Sequence, residues 1–288
     1  METVISRTTR VGKIKYTNAW PVFHSFNPEL LQHSVELVSE VPALLNRRML
    51  EGSLEVSAMS SFAYAQGSDH FMLLPDLSVS ADGAVQSILL FSREPLEKAV
   101  NGTIALTNTS ATSVNLLKIL VEKYLKGKPE YFTSEPDLTE MLQRADAGLL
   151  IGDHAIKASW ENNGYYVTDL GQLWKEWTGH SMTFAVWAVR REAALSNPEA
   201  ISEIVHAFHS SKERSLKRLT PLIDHAVREI GGSEHYWHGY FSNLCYDFGM
   251  RQQQGLELYF KYAYELGLLK HEIKLQIWSD NTLTRVKE

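Results

Sequence analysis

The sequence predicts an α/β protein of two lobes, each a mixed sheet flanked by helices. Strand, helix, strand and polar loop follow one another along the chain, an order typical of sheets covered by helices. Two apolar segments, 87–92 and 183–189, alternate poorly and are typical of strands buried on both faces. We therefore predict that residues 1–90 start the first lobe, 91–186 form the second, and 187–288 return to the first with C-terminal helices.

The predicted strands of the first lobe are each followed by a turn or a polar loop. They lie at 11–16, 36–40 and 54–58. Pro21 interrupts regular structure after the first strand, and Ser60 and Ser61 follow the third. Between the second and third strands, Pro42 suits the first turn of a helix that Gly52 ends.

The second lobe repeats this order. A strand at 104–106 leads through hydroxyl residues into a helix from about Ser113 to Leu125, on which Val114, Leu117 and Val121 share one face. A helix at 138–144 and a strand at 147–151 follow, and Gly152 and Asp153 begin another helix.

The sequence after residue 189 predicts mainly helices. Asn197 as N-cap, Pro198 and Glu199 begin a helix with an apolar stripe. A late helix ends at Gly267, and we expect it to contact the first lobe.

The composition indicates a soluble globular protein and excludes several function classes. The formal net charge of -6, without a dense Lys/Arg stripe, argues against nucleic-acid binding. No segment reaches the ~18 apolar residues of a membrane span, and the polar N-terminus does not read as a secretory signal. The single cysteine, Cys245, agrees with a reducing compartment, so we expect a cytoplasmic protein.

Residues 104–125 predict an anion site. Asn108, Thr109, Ser110, Thr112 and Ser113 lie where a strand gives way to a helix. Free backbone N–H groups, the helix dipole and hydroxyls together can hold a carboxylate without a formal positive charge. Such a run exceeds what one helix cap requires, although similar loops also form without ligands.

Other polar residues at predicted strand ends leave two interpretations open. Ligands of open α/β sheets bind outside the carboxyl ends of strands, so Asn18, Ser60, Ser61 and Asp153 could meet in one cleft. The same residue types are ordinary caps and turn formers, and for Asp153 alone an N-cap is sufficient reason. Ser87, beside an apolar strand, suits either an exposed hydroxyl or one buried on a backbone carbonyl.

No motif predicts a metal or a nucleotide. His206 and His209, like His235 and His238, are three residues apart, but no Cys or HExxH pattern accompanies them, so surface histidines are expected. Walker, GxGxxG and GxSxG motifs are absent from the sequence. We therefore expect neither a metal site nor a cofactor.

Six ordered blocks resemble the chorismate dehydratases of the futalosine route to menaquinone. The blocks are GKIKYTNAWP (12–21), SSFAYA (60–65), GAVQS (83–87), LTNTSATS (106–113), IGD (151–153), and WTG (177–179) followed by FAVW (184–187). The similarity extends from about residue 11 to about residue 270. One departure follows Gly179, where His180-Ser181-Met182 replaces a smaller or proline-containing turn, so contacts from that loop are not carried over.

The resemblance implies a type II periplasmic-binding-protein fold and the dehydration of chorismate to 3-[(1-carboxyvinyl)oxy]benzoate. By position, Asn18 and Ser87 match the family's active-site Asn and Ser, whereas Ser61, residues 108–113 and Asp153 match cleft loops. We expect Asn18 and Ser87 to orient the ring and its leaving hydroxyl, the 108–113 loop to bind a carboxylate, and a substrate carboxylate to accept the proton.

Three alternatives remain at this stage. The 1,4-dihydroxy-6-naphthoate synthases of the same pathway share the fold but carry a Cys-Pro-Asn-Asp block that this sequence lacks. A non-catalytic solute-binding protein for a small carboxylate would need export. A ligand-sensing regulatory domain would need a DNA-reading segment, and none is evident.

Overall fold

The computed structural model describes residues 8–161 and 164–280. Their strands are β1 (Thr9–Ile14), β2 (Val35–Glu40), β3 (Val56–Ser60), β4 (Phe71–Ala81), β5 (Ile88–Ser92), β6 (Thr103–Thr107), β7 (Glu130–Ser134), β8 (Ala147–Ile151), β9 (Tyr166–Asp169), β10 (Met182–Arg190) and β11 (Leu244–Cys245).

The helices cover the faces of these strands. They are α1 (Trp20–Phe23), α2 (Pro42–Leu50), α3 (Ser61–Gln66), α4 (Leu96–Ala99), α5 (Ala111–Lys118), α6 (Leu138–Arg144), α7 (Gly152–Trp160), α8 (Leu170–Thr178), α9 (Arg191–Ser196), α10 (Pro198–Lys217), α11 (Thr220–Glu229), α12 (Glu234–Asn243) and α13 (Met250–Glu265). Short 3₁₀ turns lie at Thr17–Ala19 and Pro28–Leu30, and a π-helical segment, Ile119–Tyr124, continues α5. Among the described residues no helix has the length and apolarity needed to cross a membrane.

Two mixed sheets organise the fold. The first has the strand order β11-β4-β10-β3-β1-β2, in which β1 is parallel to β2 and β3, whereas β10 and β11 run antiparallel to their neighbours. The second has the order β7-β6-β8-β5-β9, in which β6 is parallel to β7 and β8, and β5 is antiparallel to β8 and β9. The α/β class with two mixed sheets is confirmed.

The two apolar segments are strands buried along almost their whole length, as predicted. β5 belongs to the second sheet and lies between β8 and β9, whereas β10 lies inside the first sheet between β3 and β4. The chain therefore enters the second sheet at β5 and returns to the first at β10. The residue boundaries of the lobes stay a prediction.

Two predicted boundaries were wrong for local reasons. The helix expected from Ser113 begins at Ala111, because the Ser110 side chain accepts the Ser113 N–H and caps it. The third strand extends past Ala58 to Ser60, whose hydroxyl caps α3 by accepting the Ala63 N–H. Both shifts place a serine at a helix N-terminus, where its oxygen satisfies an otherwise free backbone donor.

The apolar core joins the two sheets. One cluster of buried side chains includes Val11 and Trp187 from the first sheet and Leu106 and Leu149 from the second, and a smaller cluster lies on the other side of the second sheet. α13 contacts β10, as expected for the late helix.

Candidate active site

Polar side chains from both sheets meet between them. We call this group the inter-sheet cluster; its members are Tyr16, Thr17, Asn18, Ser87, Asp153, Tyr236 and Tyr240. Residues 16–18 follow β1, Ser87 precedes β5, and Asp153 lies in the first turn of α7, directly after β8. The two tyrosines are one turn apart on α12 and stack with ring centroids 6.1 Å apart.

A carboxylate at the start of α7, directly after β8 of the second sheet, binds the segment after β1. Asp153 Oδ1 accepts the Thr17 hydroxyl at 2.5 Å and the Thr17 N–H at 3.3 Å. Burial raises the pKa of Asp153, and the hydrogen bonds from Thr17 act in the opposite direction. The alternative that Asp153 is merely an N-cap is wrong, because Ile151 holds the cap position of α7 and no side chain caps this helix.

Gly152 brings Asp153 and Ser87 together. Its φ of 56° lies in the left-handed region, and a Cβ on it would come within 2.9 Å of the Tyr16 ring. Its N–H donates to the Ser87 carbonyl at 2.7 Å. A residue without a side chain is therefore required where α7 begins against Tyr16.

Ser87 is fully buried and oriented by a tyrosine. The Tyr240 hydroxyl donates to Ser87 Oγ at 3.0 Å, and Ser87 Oγ donates to the Val85 carbonyl at 3.3 Å. Burial strongly raises the pKa of Tyr240, so the phenol remains a neutral donor at working pH. Of the two interpretations of Ser87, the structure favours the buried hydroxyl, with a tyrosine as an additional partner.

Buried polar atoms in this cluster lack partners. Asn18 Oδ1 and the Tyr236 hydroxyl are buried and have no hydrogen-bond partner among the described residues. Burial also raises the pKa of Tyr16 and of Tyr236. Because most buried polar atoms are paired, these two unpaired oxygens make the cluster the candidate site for a ligand that offers hydrogen bonds.

Two helix N-termini form a second group of predicted residues. Ser60 Oγ accepts the Ala63 N–H at 3.3 Å at the start of α3, and Ser110 Oγ accepts the Ser113 N–H at 3.3 Å at the start of α5. The Ser61 hydroxyl donates to the Thr183 carbonyl at 2.8 Å, which joins α3 to β10. At the start of α5, the backbone N–H groups that precede Ser113 can bind an anion.

Thr112 links these two helices. Its Oγ1 accepts the Phe62 N–H of α3 at 3.0 Å, and its carbonyl accepts the Tyr259 hydroxyl of α13 at 3.1 Å. The first turn of α5 is therefore fixed to elements that pack on the first sheet.

The remaining two predicted residues of this loop face different neighbours. Thr109 Oγ1 lies 2.8 Å from Thr107 Oγ1, and a hydrogen bond between the Thr109 side chain and the Tyr16 hydroxyl counteracts the rise that burial causes in the pKa of Tyr16. Asn108 is exposed, and its amide donates to Glu135 Oε1 at 2.6 Å, toward the β7 side. The structure brings Thr109 to the inter-sheet cluster but directs Asn108 away from it.

Sequence reasoning missed the two tyrosines of α12. Tyr236 and Tyr240 are spaced i, i+4, a pattern that usually indicates core packing, and Trp237 and Phe241 on the same helix are indeed core. No local signal separates a tyrosine that presents its hydroxyl to a ligand from one that packs.

The side chains of the inter-sheet cluster include no cation. Its groups are hydroxyls, an amide and one carboxylate, so the cluster can orient a hydroxylated ring and supply or accept hydrogen bonds. Within residues 8–161 and 164–280, no group of three or more His, Cys, Asp or Glu side chains is arranged to hold a metal ion.

Comparison with solved structures shows the fold. A protein from Archaeoglobus fulgidus superposes with a TM-score of 0.76 at 21% identity, covering 92% of this chain and 100% of that one. The periplasmic aliphatic sulphonate binding protein of Escherichia coli superposes with a TM-score of 0.68 at 15% identity, covering 95% and 92%. The chain therefore has a periplasmic-binding-protein fold, as the resemblance implied.

Comparison with curated proteins finds two relatives from Thermus thermophilus. The chain is 34% identical over 273 residues to the chorismate dehydratase of Thermus thermophilus, covering 90% of this chain and 95% of the relative. It is 28% identical over 172 residues to the 1,4-dihydroxy-6-naphthoate synthase of the same organism, covering 59% and 61%. Residues 9–265 match the sequence model of a family described as menaquinone biosynthesis. This chain therefore belongs to the menaquinone biosynthesis family.

Proposed function

We propose that this protein is a chorismate dehydratase, a carbon–oxygen lyase that converts chorismate to 3-[(1-carboxyvinyl)oxy]benzoate and water. The observation that carries the proposal is the inter-sheet cluster, where Asn18 and Ser87 lie among buried polar atoms that lack partners. The extent of identity to the Thermus dehydratase supports the same reaction.

The chemistry suits a site of neutral hydrogen-bonding groups. Chorismate is a dianion whose ring becomes aromatic when it loses one molecule of water. The C3–H bond breaks, its electron pair forms the new ring double bond, and the C4–O bond breaks as the hydroxyl takes a proton and leaves as water. Because aromatisation drives the reaction, positioning can supply much of the rate and no strong base is required.

Each group of residues then has a distinct role. Asn18 and Ser87 orient the ring and the leaving hydroxyl; Tyr240 and the Val85 carbonyl hold the Ser87 hydroxyl in place. The N-terminal turn of α5, with Thr109, Ser110, Thr112 and Ser113, binds a carboxylate. We assign proton acceptance to a carboxylate of the substrate.

Three further predicted site residues have supporting roles in this proposal. Ser60 caps α3 and Ser61 fixes it against β10, and Asp153 holds Thr17 and thereby the backbone of Asn18. Asn108 remains a predicted substrate contact, although its amide is bonded to Glu135. Location in the cytoplasm also stays a prediction.

The direct test is incubation of the purified protein with chorismate. We expect an aromatic product that absorbs in the ultraviolet, with a mass lower than that of chorismate by one water. Tight binding of chorismate or another carboxylate without conversion would instead support a solute-binding protein. Absence of both binding and conversion of chorismate would overturn the proposal and favour the naphthoate synthase alternative.

A variant pair tests the role of Asn18. Asn18→Ala removes an amide whose oxygen lacks a partner, and we expect a loss of roughly 100-fold or more in kcat, as for other preorganised hydrogen-bond donors. Asn27→Ala, at an exposed 3₁₀ cap, is the matched control and should keep near-normal turnover. Full turnover by Asn18→Ala would remove Asn18 from the mechanism.

A further inference from the structure

A second polar cavity lies outside the inter-sheet cluster. It has a volume of about 480 Å³, and its lining includes Lys13 and Lys15 beside β1 and His24, His225 and Arg228 beside or on the helices α1 and α11. We call it the basic pocket. Among the described residues no acidic side chain lines it, which is notable in a chain of net charge -6. The volume lies within the range of about 300–1,000 Å³ that small-molecule sites occupy.

Lys13 is the most buried of the lysine and arginine side chains that line the basic pocket. It is half-buried, its Nζ lies 6.0 Å from the centroid of the Phe23 ring, and it forms no ion pair within the described residues. Burial lowers the pKa of Lys13, as expected for a cation that gives up water without gaining a carboxylate. An anion in the pocket would provide the missing counter-charge.

Two more fixed charges face the same space. Lys15 is exposed and only loosely paired, with its Nζ 3.5 Å from Glu40 Oε2. Arg228 Nη2 donates to His225 Nδ1 at 2.7 Å, which holds the guanidinium beside the imidazole. The Arg228 Nε also lies 3.2 Å from Glu229, a pair that is largely solvent-exposed and therefore weak.

Aromatic rings form the apolar side of the pocket. The Trp20 and His225 rings are in tilted contact with centroids 4.5 Å apart, and the His24 ring lies 6.4 Å from that of His225. Burial, together with His225 and Lys13, lowers the pKa of His24. Rings beside several cations suit a ligand with a compact apolar body and more than one negative charge.

We propose that the basic pocket binds a small organic dianion, either a phosphate monoester or a dicarboxylate. Its concave shape and volume suit a small molecule, and the net negative charge of the chain disfavours an extended polyanion such as nucleic acid. None of its lining residues belongs to the inter-sheet cluster. The pocket is thus a second site, distinct from the one proposed for dehydration.

The two sites share one short segment. Thr17 and Asn18 belong to the inter-sheet cluster, whereas Trp20, Phe23 and His24, a few residues later, line the basic pocket. A ligand in the pocket would therefore contact the helix that follows the proposed catalytic amide.

Calorimetric titration of the full chain tests the proposal. The probes are phenyl phosphate, isophthalate and inorganic phosphate; tighter binding of the first or the second identifies the phosphate or dicarboxylate class, and inorganic phosphate measures the contribution of charge alone. The double variant Lys13→Gln/Arg228→Gln should weaken binding of the preferred probe by at least about tenfold, since each removes a charge-assisted contact.

Two controls keep the test decisive. Arg47→Gln/Lys98→Gln removes the same charge from exposed positions and should leave the dissociation constant of the probe unchanged. Circular dichroism checks that both double variants fold. Equal probe affinity in the wild type and the Lys13/Arg228 variant overturns the proposal. A rise in KM for chorismate that parallels the loss of probe affinity also overturns it, because the pocket would then belong to the substrate site.

Discussion

The inter-sheet cluster contains residues 16–18, the basic pocket is lined by residues on either side of that segment, and the two differ in how they can bind an anion. The cluster offers hydroxyls, an amide and helix N-termini, with Asp153 as its one charged side chain, whereas the pocket concentrates lysine and arginine. Neutral donors in fixed positions hold a substrate in a defined orientation but attract an anion only weakly, which suits catalysis. Lysine and arginine side chains attract an anion through their charge without fixing its reacting atoms, which suits binding.

The largest expected effect comes from filling the space beside Gly152. Gly152→Ala must adopt a left-handed φ and also displaces the Tyr16 ring, so we expect kcat/KM with chorismate to fall by roughly 100-fold, because small displacements of positioning groups are costly. Gly179→Ala has a similar φ of 73° but no heavy atom within 4 Å of its Cβ. If both variants lose the same activity, backbone strain and not the Tyr16 contact is responsible.

The next effect separates orientation from binding within the cluster. Tyr240→Phe keeps the ring but removes the donor to Ser87, and we expect kcat to fall by about 10- to 100-fold with little change in KM. Tyr264→Phe, on an exposed residue of α13, is the control. Affinity for phenyl phosphate should remain unchanged in both variants, and a change in it would link the cluster to the pocket.

A third prediction concerns stability and pH. Burial raises the pKa of Asp153, so the folded state binds its proton more tightly than the unfolded state. Its ionisation therefore lowers stability as pH rises from about 4 through the raised pKa. Asp153→Asn can still accept from Thr17 and should raise Tm at pH 7 by about 2–4 °C for each kcal/mol recovered, with a smaller gain at pH 4.

Asp169→Asn is the contrasting variant for this measurement. Burial also raises the pKa of Asp169, but its two oxygens accept four backbone N–H groups, from Val85, Gln86, Gly171 and Gln172. An amide cannot accept at both positions, so this variant should lose Tm. A gain of Tm in Asp169→Asn, or a loss in Asp153→Asn, would contradict this explanation.

The smallest effect is that of salt. Raising the concentration from about 0.05 to 0.5 M should weaken binding of phenyl phosphate to the basic pocket several-fold, because exposed cations are screened. KM for chorismate should change by less than about twofold, since hydrogen bonds to neutral donors carry its binding. Equal salt dependence in the two measurements would abolish the distinction between the sites.

The sequence predicted the elements better than the contacts between them. Apolar runs and caps are local, so β5, β8, β10 and α6 were found at or near their observed bounds. The bond between Asp153 and Thr17 joins residues 136 positions apart, and a local cap was therefore the reasonable but wrong alternative. Charge patterning did not predict the basic pocket either, because its cations come from β1, α1 and α11.

The proposed catalytic residues came from resemblance to a family and not from local physics. Asn18 and Ser87 are single residues of common types, and only the ordered blocks around them made them candidates. The structure reveals two features that the sequence blocks did not show. Tyr240 is the partner of Ser87, and the side-chain oxygen of Asn18 is unpaired. Tyr240 belongs to α12, which lies outside the six blocks.

The direction of the hydrogen bonds at the start of α5 has a consequence for substrate choice. Ser110 Oγ donates to Ser113 Oγ at 3.1 Å, and the described residues offer no acceptor for the hydrogen that Ser113 retains. Thr112 Oγ1 likewise accepts from Phe62 and keeps its own hydrogen. The start of α5 thus offers hydroxyl hydrogens as donors and few acceptor lone pairs. A carboxylate satisfies them, whereas the corresponding amide would bring its NH₂ against other donors, so we expect discrimination between acid and amide without any charged side chain.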